Sequence, residues 1–185
     1  MTSDILSEAK TKMNSTLSVF EEELHGIRSG RASTGLVDRL MVDYYGQETE
    51  LRQLANISTP EAMQILIRPY DASAVKAIEK AIQTSDIGVN PNVDGQSIRL
   101  NMPPLTRERR QDLVKVLHKR VEEAKVSIRN IRRSANSDLA EFEKEKLISE
   151  DERKQGEDDV QKLTDDYIKR IDEAGKHKEQ EILEV

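Results

Sequence analysis

Apolar residues recur every three or four positions in three long stretches, separated by one segment where that rhythm fails. In the first stretch Ile5, Ala9, Met13, Leu17, Phe20, Leu24 and Ile27 step by four and three, the spacing that lines one face of an α-helix. Ser3 and Asp4 are suitable N-caps for this helix, and Gly30 is its expected stop. The second stretch carries Leu113, Leu117, Val121, Ala124, Ile128, Ile131, Ala135, Leu139 and Phe142 at the same spacing, with Thr106 as expected N-cap. A helix over 107–145 would be roughly 58 Å long. The third opens on Ser149-Glu150-Asp151-Glu152, a capping-box pattern, and its stripe is Val160, Leu163, Tyr167, Ile171, Ala174 and Ile182.

Each of these helices would leave a narrow apolar edge in water if it stood alone. Packing the three edges together predicts an elongated three-helix bundle built from 1–30 and 105–185. An oligomeric coiled coil is the alternative. Between 31 and 104 the pattern changes. Leu40 to Tyr45, Ala62 to Ile67 and Ile98 to Met102 read as strands, and Leu51 to Ile57 is a weaker strand candidate. Ser73 to Ser85 reads as a helix with Val75, Ile78 and Ile82 inward and Gly88 just past its end. Asp94-Gly95 marks a hairpin turn. All five prolines, Pro60, Pro69, Pro91, Pro103 and Pro104, fall here, where long helices cannot run. The prediction is an α+β chain with a small β/α/β domain inserted into the bundle. Two links would join the parts, Gly30-Arg31-Ala32 and Met102-Pro103-Pro104, and form a hinge.

Composition agrees with slender helices. Hydrophobic residues make up 36%, charged residues 35% and aromatic residues 3%. Disorder is the competing reading of such charge, but the apolar residues here are periodic rather than sparse. Cysteine is absent, which excludes disulfides and a thiol nucleophile. Neither a secretory signal nor a bilayer-length apolar run appears, so a soluble cytoplasmic protein is expected. His25, His118 and His177 are isolated in sequence, and Gly26, Gly30 and Gly35 fit no phosphate-binding fingerprint. The adjacent pairs Asp158-Asp159 and Asp165-Asp166 would point about 100° apart on a helix. No enzyme, metal site or cofactor is expected.

Charge carries the functional signal. Acids outnumber bases 35 to 29, a net charge of −6. Yet Ala124 to Ser137 holds Lys125, Arg129, Arg132 and Arg133 and no carboxylate. With Asn136, these side chains share an arc of about 100° on a helix. A basic stripe in an acidic chain is expected to face an anionic partner. Guanidinium forks match phosphate and stack on bases, so arginine over lysine favours folded RNA. The bland alternative is a solvated edge balanced by acids on a neighbouring helix. A second acid-free window, Leu24 to Val37, holds Arg28 and Arg31. Arg107, Arg109 and Arg110 open the second long helix, against the helix dipole although beside Glu108. The candidate RNA-binding set is therefore Arg28, Arg31, Arg109, Arg110, Lys125, Arg129, Arg132, Arg133 and Asn136.

Several segments resemble one family. Ile27-Arg28-Ser29-Gly30-Arg31-Ala32-Ser33, Val42-Asp43-Tyr44-Tyr45-Gly46, Pro103-Pro104-Leu105-Thr106, Glu108-Arg109-Arg110 and Val126 to Arg133 are similar to motifs of ribosome recycling factors. Ser149-Glu150-Asp151 and Asp159 to Asp165 extend the similarity over essentially the whole chain. The resemblance implies an L-shaped molecule of near-tRNA dimensions that binds the post-termination ribosome. The bundle would lie against large-subunit ribosomal RNA, and the small domain would reach toward the subunit interface. Elongation factor G with GTP would then drive subunit separation. The family's arginines matching Arg129 and Arg132, with Arg28 or Arg31, would face the RNA. A monomer is implied, with neither membrane nor DNA as partner. Thr34 and Glu50 stand where the family pattern has proline, and Gly156 and Gly175 interrupt the third helix at about 1 kcal/mol each relative to alanine. The rival to this reading is a helical scaffold or coiled-coil adaptor whose arginines pair an acidic protein. A general RNA chaperone is disfavoured by the net charge.

Overall fold

The computed structural model describes residues 2–184. It is a mixed helix and sheet fold with α1 (Thr2–His25), β1 (Met41–Tyr44), β2 (Gln47–Glu50), α2 (Leu51–Leu54), β3 (Ala55–Glu61) and β4 (Gln64–Pro69) in its first part. Then follow α3 (Val75–Thr84), β5 (Pro91–Asp94), β6 (Ser97–Asn101), α4 (Arg107–Lys144) and α5 (Glu150–Leu183). By packing, the chain divides into two units. One holds the chain up to Leu24 with Lys115–Glu179, and the other His25–Val114 with Gln180 onward.

The first unit is a three-helix bundle. Along α1 the predicted stripe is buried from Ile5 to Leu24. Ile5 and Ala9 join Ala135 and Leu139 of α4, Val160 of α5 and Ile148 in one apolar cluster. Two helix-end expectations shift. Ser3 and Asp4 lie inside the first turn of α1, and the helix ends at His25 rather than at Gly30. Gly26 follows, and glycine is a poor helix former. Ile27 stays buried as the chain leaves the helix, which is why it kept the apolar rhythm.

The connection between α4 and α5 is one short loop that caps both helices. Lys146 has φ 61, and its N–H and that of Leu147 reach Glu143 O and Phe142 O, each at 2.9 Å. That is a Schellman closure with lysine where glycine is usual. Ser149 then forms the predicted capping box. Its N–H donates to Glu152 Oε2 at 2.8 Å, and its Oγ accepts from the Glu152 N–H at 3.2 Å. At the other end of α4, Thr106 Oγ1 accepts from the Arg109 N–H at 3.2 Å, as its N-cap position requires.

Gly156 and Gly175 prove to be contact points rather than interruptions. A β-carbon at Gly175 would meet Val121 Cγ2 at 2.8 Å, and one at Gly156 would meet Leu139 Cδ2 at 3.0 Å. Both glycines let α5 approach α4 closely. Thr164, polar but fully buried, donates its hydroxyl to Val160 O at 2.8 Å.

In the second unit an antiparallel sheet of order β3-β4-β6-β5 packs α3 on one face, and β1 and β2 form a separate hairpin. Ile65, Ile67, Ile98 and Leu100 point toward Val75, Ile78 and Ile82 in one core. The turn of the last hairpin falls at Gly95-Gln96, with Gly95 at φ 62 and Asp94 paired to Ser97. Two strand expectations change. Leu51–Leu54 is a single helical turn, and β3 begins only at Ala55. That turn brings Leu51, with 0% exposure, and Leu54 to the core from one side, a spacing of three that an extended chain would split between faces. Ala62 and Met63 form the β3–β4 turn instead of opening β4.

Candidate nucleic-acid interface

The basic stripe of α4 has two edges with different surroundings. On one edge Lys125, Arg132 and Asn136 lie toward α5. Lys125 Nζ sits 2.9 Å from Asp172 Oδ1 and 3.8 Å from Glu122 Oε2, and its side chain is only 19% exposed. Arg132 Nη1 donates to the Gln161 amide oxygen at 3.0 Å, and Gln161 passes a bond of 2.8 Å on to Asp165. The Asn136 amide oxygen is buried and unpartnered. On the other edge Arg129 Nη1 donates to Glu122 Oε1 at 2.9 Å on its own helix. That bond is the leading reason the Glu122 carboxyl is held below its ordinary range. Arg133 is exposed and makes no ion pair among the described residues.

The acid-free window is thus not free of acids in space. Glu122 enters from just before it and Asp172 from α5. Glu122 was legible, because positions 122, 125 and 129 share one helical face. Asp172 and Gln161 were not, since their placement depends on the register of α5 against α4. Lys125 is largely spent on holding two helices together. Arg129, Arg132 and Arg133 keep charge that exposed or neutral partners leave available to an anion.

The remaining candidates belong to the second unit. Arg28 Nη2 donates to Pro103 O. Burial first, and then the nearby charge of Arg109, lower the Arg28 pKa. Arg110 Nη1 donates to Leu183 O at 3.2 Å, at the carbonyl end of α5. This explains a cation at the start of α4: it serves the C-terminal dipole of another helix. Arg31 and Arg109 are exposed. Among the residues expected to form the hinge, the Ala32 N–H donates to Ala62 O at 2.7 Å and the Met102 N–H to Met63 O at 2.8 Å. Both links are thereby tied to the β3–β4 turn. A β-carbon at Gly30 would lie 3.2 Å from Glu184 O. Among the described residues no cluster of histidine, cysteine or carboxylates is placed to hold a metal ion, and no helix is long and apolar enough to cross a membrane.

The same mixed helix and sheet fold recurs in known proteins. The ribosome recycling factor family matches residues 20–183. The ribosome-recycling factor of Shouchella clausii is 52% identical over 185 residues, spanning 100% of both chains. That of Symbiobacterium thermophilum is 49% identical over the same span. A solution structure of ribosome recycling factor is 46% identical with a TM-score of 0.78, covering 100% of this chain and 98% of that one. A second structure has a TM-score of 0.69 at 42% identity, with 100% of both chains covered. It gives models for the T. thermophilus ribosome recycling factor and the E. coli elongation factor G bound to the E. coli post-termination complex. Identity of this level, end to end, on the same mixed fold leaves one assignment: the chain belongs to the ribosome recycling factor family.

Proposed function

We propose that this chain recycles ribosomes after translation termination. It binds the post-termination ribosome and, with elongation factor G and GTP, separates the subunits for another round of initiation. The observation that carries this reading is 52% identity over the full length of a ribosome-recycling factor, supported by a neighbour that gives models for such a factor and elongation factor G bound to a post-termination complex.

In this reading the bundle anchors on large-subunit ribosomal RNA through Arg129, Arg132 and Arg133. Arg129 can exchange its exposed partner Glu122 for a phosphate at little cost, because exposed ion pairs are weak. Arg132 holds a neutral amide, so its charge needs no such exchange. Arg28, Arg31 and Arg109 offer further cations and Asn136 adds an amide to the stripe, while Lys125 and Arg110 serve mainly to position their neighbours. In this reading the bundle, 1–30 with 105–185, and the inserted part, 31–104, act as two bodies, although packing counts residues 25–30, 105–114 and 180–184 with the inserted part. Gly30-Arg31-Ala32 and Met102-Pro103-Pro104 are the links through which a push from the translocase displaces an intersubunit contact. The protein works as a cytoplasmic monomer and catalyses nothing itself; GTP hydrolysis belongs to elongation factor G.

Subunit splitting followed by light scattering tests the proposal. Splitting is expected only when this chain, elongation factor G and GTP are all present. Equal splitting without the chain would overturn it.

A further inference from the structure

Polar side chains form a ladder between α4 and α5. His118 Nε2 lies 3.2 Å from Glu179 Oε2, and Lys125 Nζ lies 2.9 Å from Asp172 Oδ1. The second rung is seven residues further along α4 and seven back along α5, close to two turns of each helix. The same step leads next to Arg132 and Asp165. An arginine and an aspartate so placed should join directly, because a carboxylate accepts both prongs of a guanidinium. They are instead held apart. Arg132 Nη1 donates to Gln161 Oε1 at 3.0 Å, and Gln161 Nε2 donates to Asp165 Oδ1 at 2.8 Å. One amide stands between the two charges.

The packing of α5 sets the position of that amide. Val160 and Thr164 are buried at 1% and 0% exposure, and the Thr164 hydroxyl closes on Val160 O at 2.8 Å. Gln161 and Asp165 each follow one of these seated residues, so they share the adjoining helical face. Chemistry then fixes which way round the amide sits. A guanidinium only donates and a carboxylate only accepts. Both are satisfied only with the Gln161 oxygen toward Arg132 and its nitrogen toward Asp165. The preceding rung shows the contrast. Four residues before Asp172 stands Ile168, which has no amide to interpose, and Asp172 pairs Lys125 outright.

We propose that Asp165 is a positioning residue for the RNA anchor: through the Gln161 amide it aims the Arg132 guanidinium without neutralising it. Direct pairing would aim the arginine but give its charge to an internal partner. No partner at all would leave a mobile side chain whose ordering weakens binding. The interposed amide avoids both. The inference rests on the reading that Arg132 meets ribosomal RNA, and it adds the residue that stands behind that contact.

The test is the affinity of the full chain for post-termination ribosomes, by co-sedimentation at fixed salt. Asp165→Asn removes a negative charge beside a polyanion site, so charge alone predicts tighter binding. Positioning predicts the reverse. Asparagine both donates and accepts, so the Gln161 amide is free to turn its nitrogen toward Arg132 and release it. Binding is expected to weaken about fivefold, the worth of one oriented hydrogen bond. Asp158→Asn makes the same charge change on the same face of α5, outside the relay, and should not weaken binding. A second arm reverses the sign. Gln161→Met removes the amide at similar length, so Asp165 can pair Arg132 directly and neutralise it. In that background Asp165→Asn is expected to tighten binding, whereas a folding defect would weaken it in both. Unchanged or tighter binding by Asp165→Asn alone, or no tightening in the Gln161→Met background, would overturn the inference while the recycling reading stands. Arg132→Ala binding as well as the unmodified chain would overturn it together with the anchor.

Discussion

Arg132 donates to the amide oxygen of Gln161 at 3.0 Å, and among the described residues no carboxylate accepts from it. Its guanidinium is therefore oriented by α5 without being neutralised. Arg132→Ala is expected to weaken ribosome binding by roughly 1–3 kcal/mol, and Arg132→Lys to recover little of it, because a single ammonium cannot reproduce the fork. Co-sedimentation at physiological salt measures this. Unchanged binding in an Arg129→Ala/Arg132→Ala double variant would refute the anchor.

Gln161→Glu asks the same question without touching an arginine. A carboxylate opposite Arg132 should neutralise it, lower ribosome affinity and flatten the salt dependence by about one phosphate contact. The slope of affinity against salt concentration is the readout. A slope equal to that of the unmodified chain would show that Arg132 is not facing phosphate.

Lys125 should behave differently from its neighbours in the stripe. It bridges α4 to Asp172 of α5 with its side chain mostly covered. Lys125→Met is expected to cost about 1 kcal/mol of stability while leaving the salt slope of ribosome binding intact. Denaturant unfolding and co-sedimentation together decide between a bridge and a binding residue.

Gly175→Ala is predicted to destabilise the bundle by about 1–3 kcal/mol, the cost of overpacking, since the new carbon would press on Val121 Cγ2. Val121→Ala in the same chain should return much of that loss. Gly156→Ala meets only the flexible end of Leu139 and should cost less. Thermal unfolding of the three variants checks the ordering.

Acid should weaken the start of α5 in a defined direction. The Ser149 N–H first, and its hydroxyl second, hold the Glu152 carboxyl below its ordinary range. A depressed folded pKa stabilises above the unfolded value, about 4.3 for glutamate. That contribution fades as pH falls through the folded value. The stability difference between the unmodified chain and Ser149→Ala is therefore expected to be full near neutral pH and to shrink below about pH 4. Melting midpoints across pH test it; a difference that grows on acidification would contradict the assignment.

The long helices were readable because each buries one continuous stripe, and a stripe is a property of the sequence alone. Thr106 and Ser149 were readable for the same reason, since a cap acts within one turn. What escaped depends on another element. Leu51 to Leu54 could be placed as a helical turn only once the core beneath it was known. Arg110 looked misplaced until Leu183 O was found beside it. Gly156 and Gly175 read as weak points in α5 because nothing in their own helix reveals Leu139 and Val121 opposite. The basic stripe was visible, but which of its members α5 occupies was not.

Those two glycines also fix a length. Each gives way to a particular side chain of α4, so both must stay in register with that helix when α5 lies down. One residue inserted or deleted between Gly156 and Gly175 would turn one of them by about 100° and put an ordinary side chain against Val121 or Leu139. Over that span, substitutions should be far better tolerated than any change in residue count.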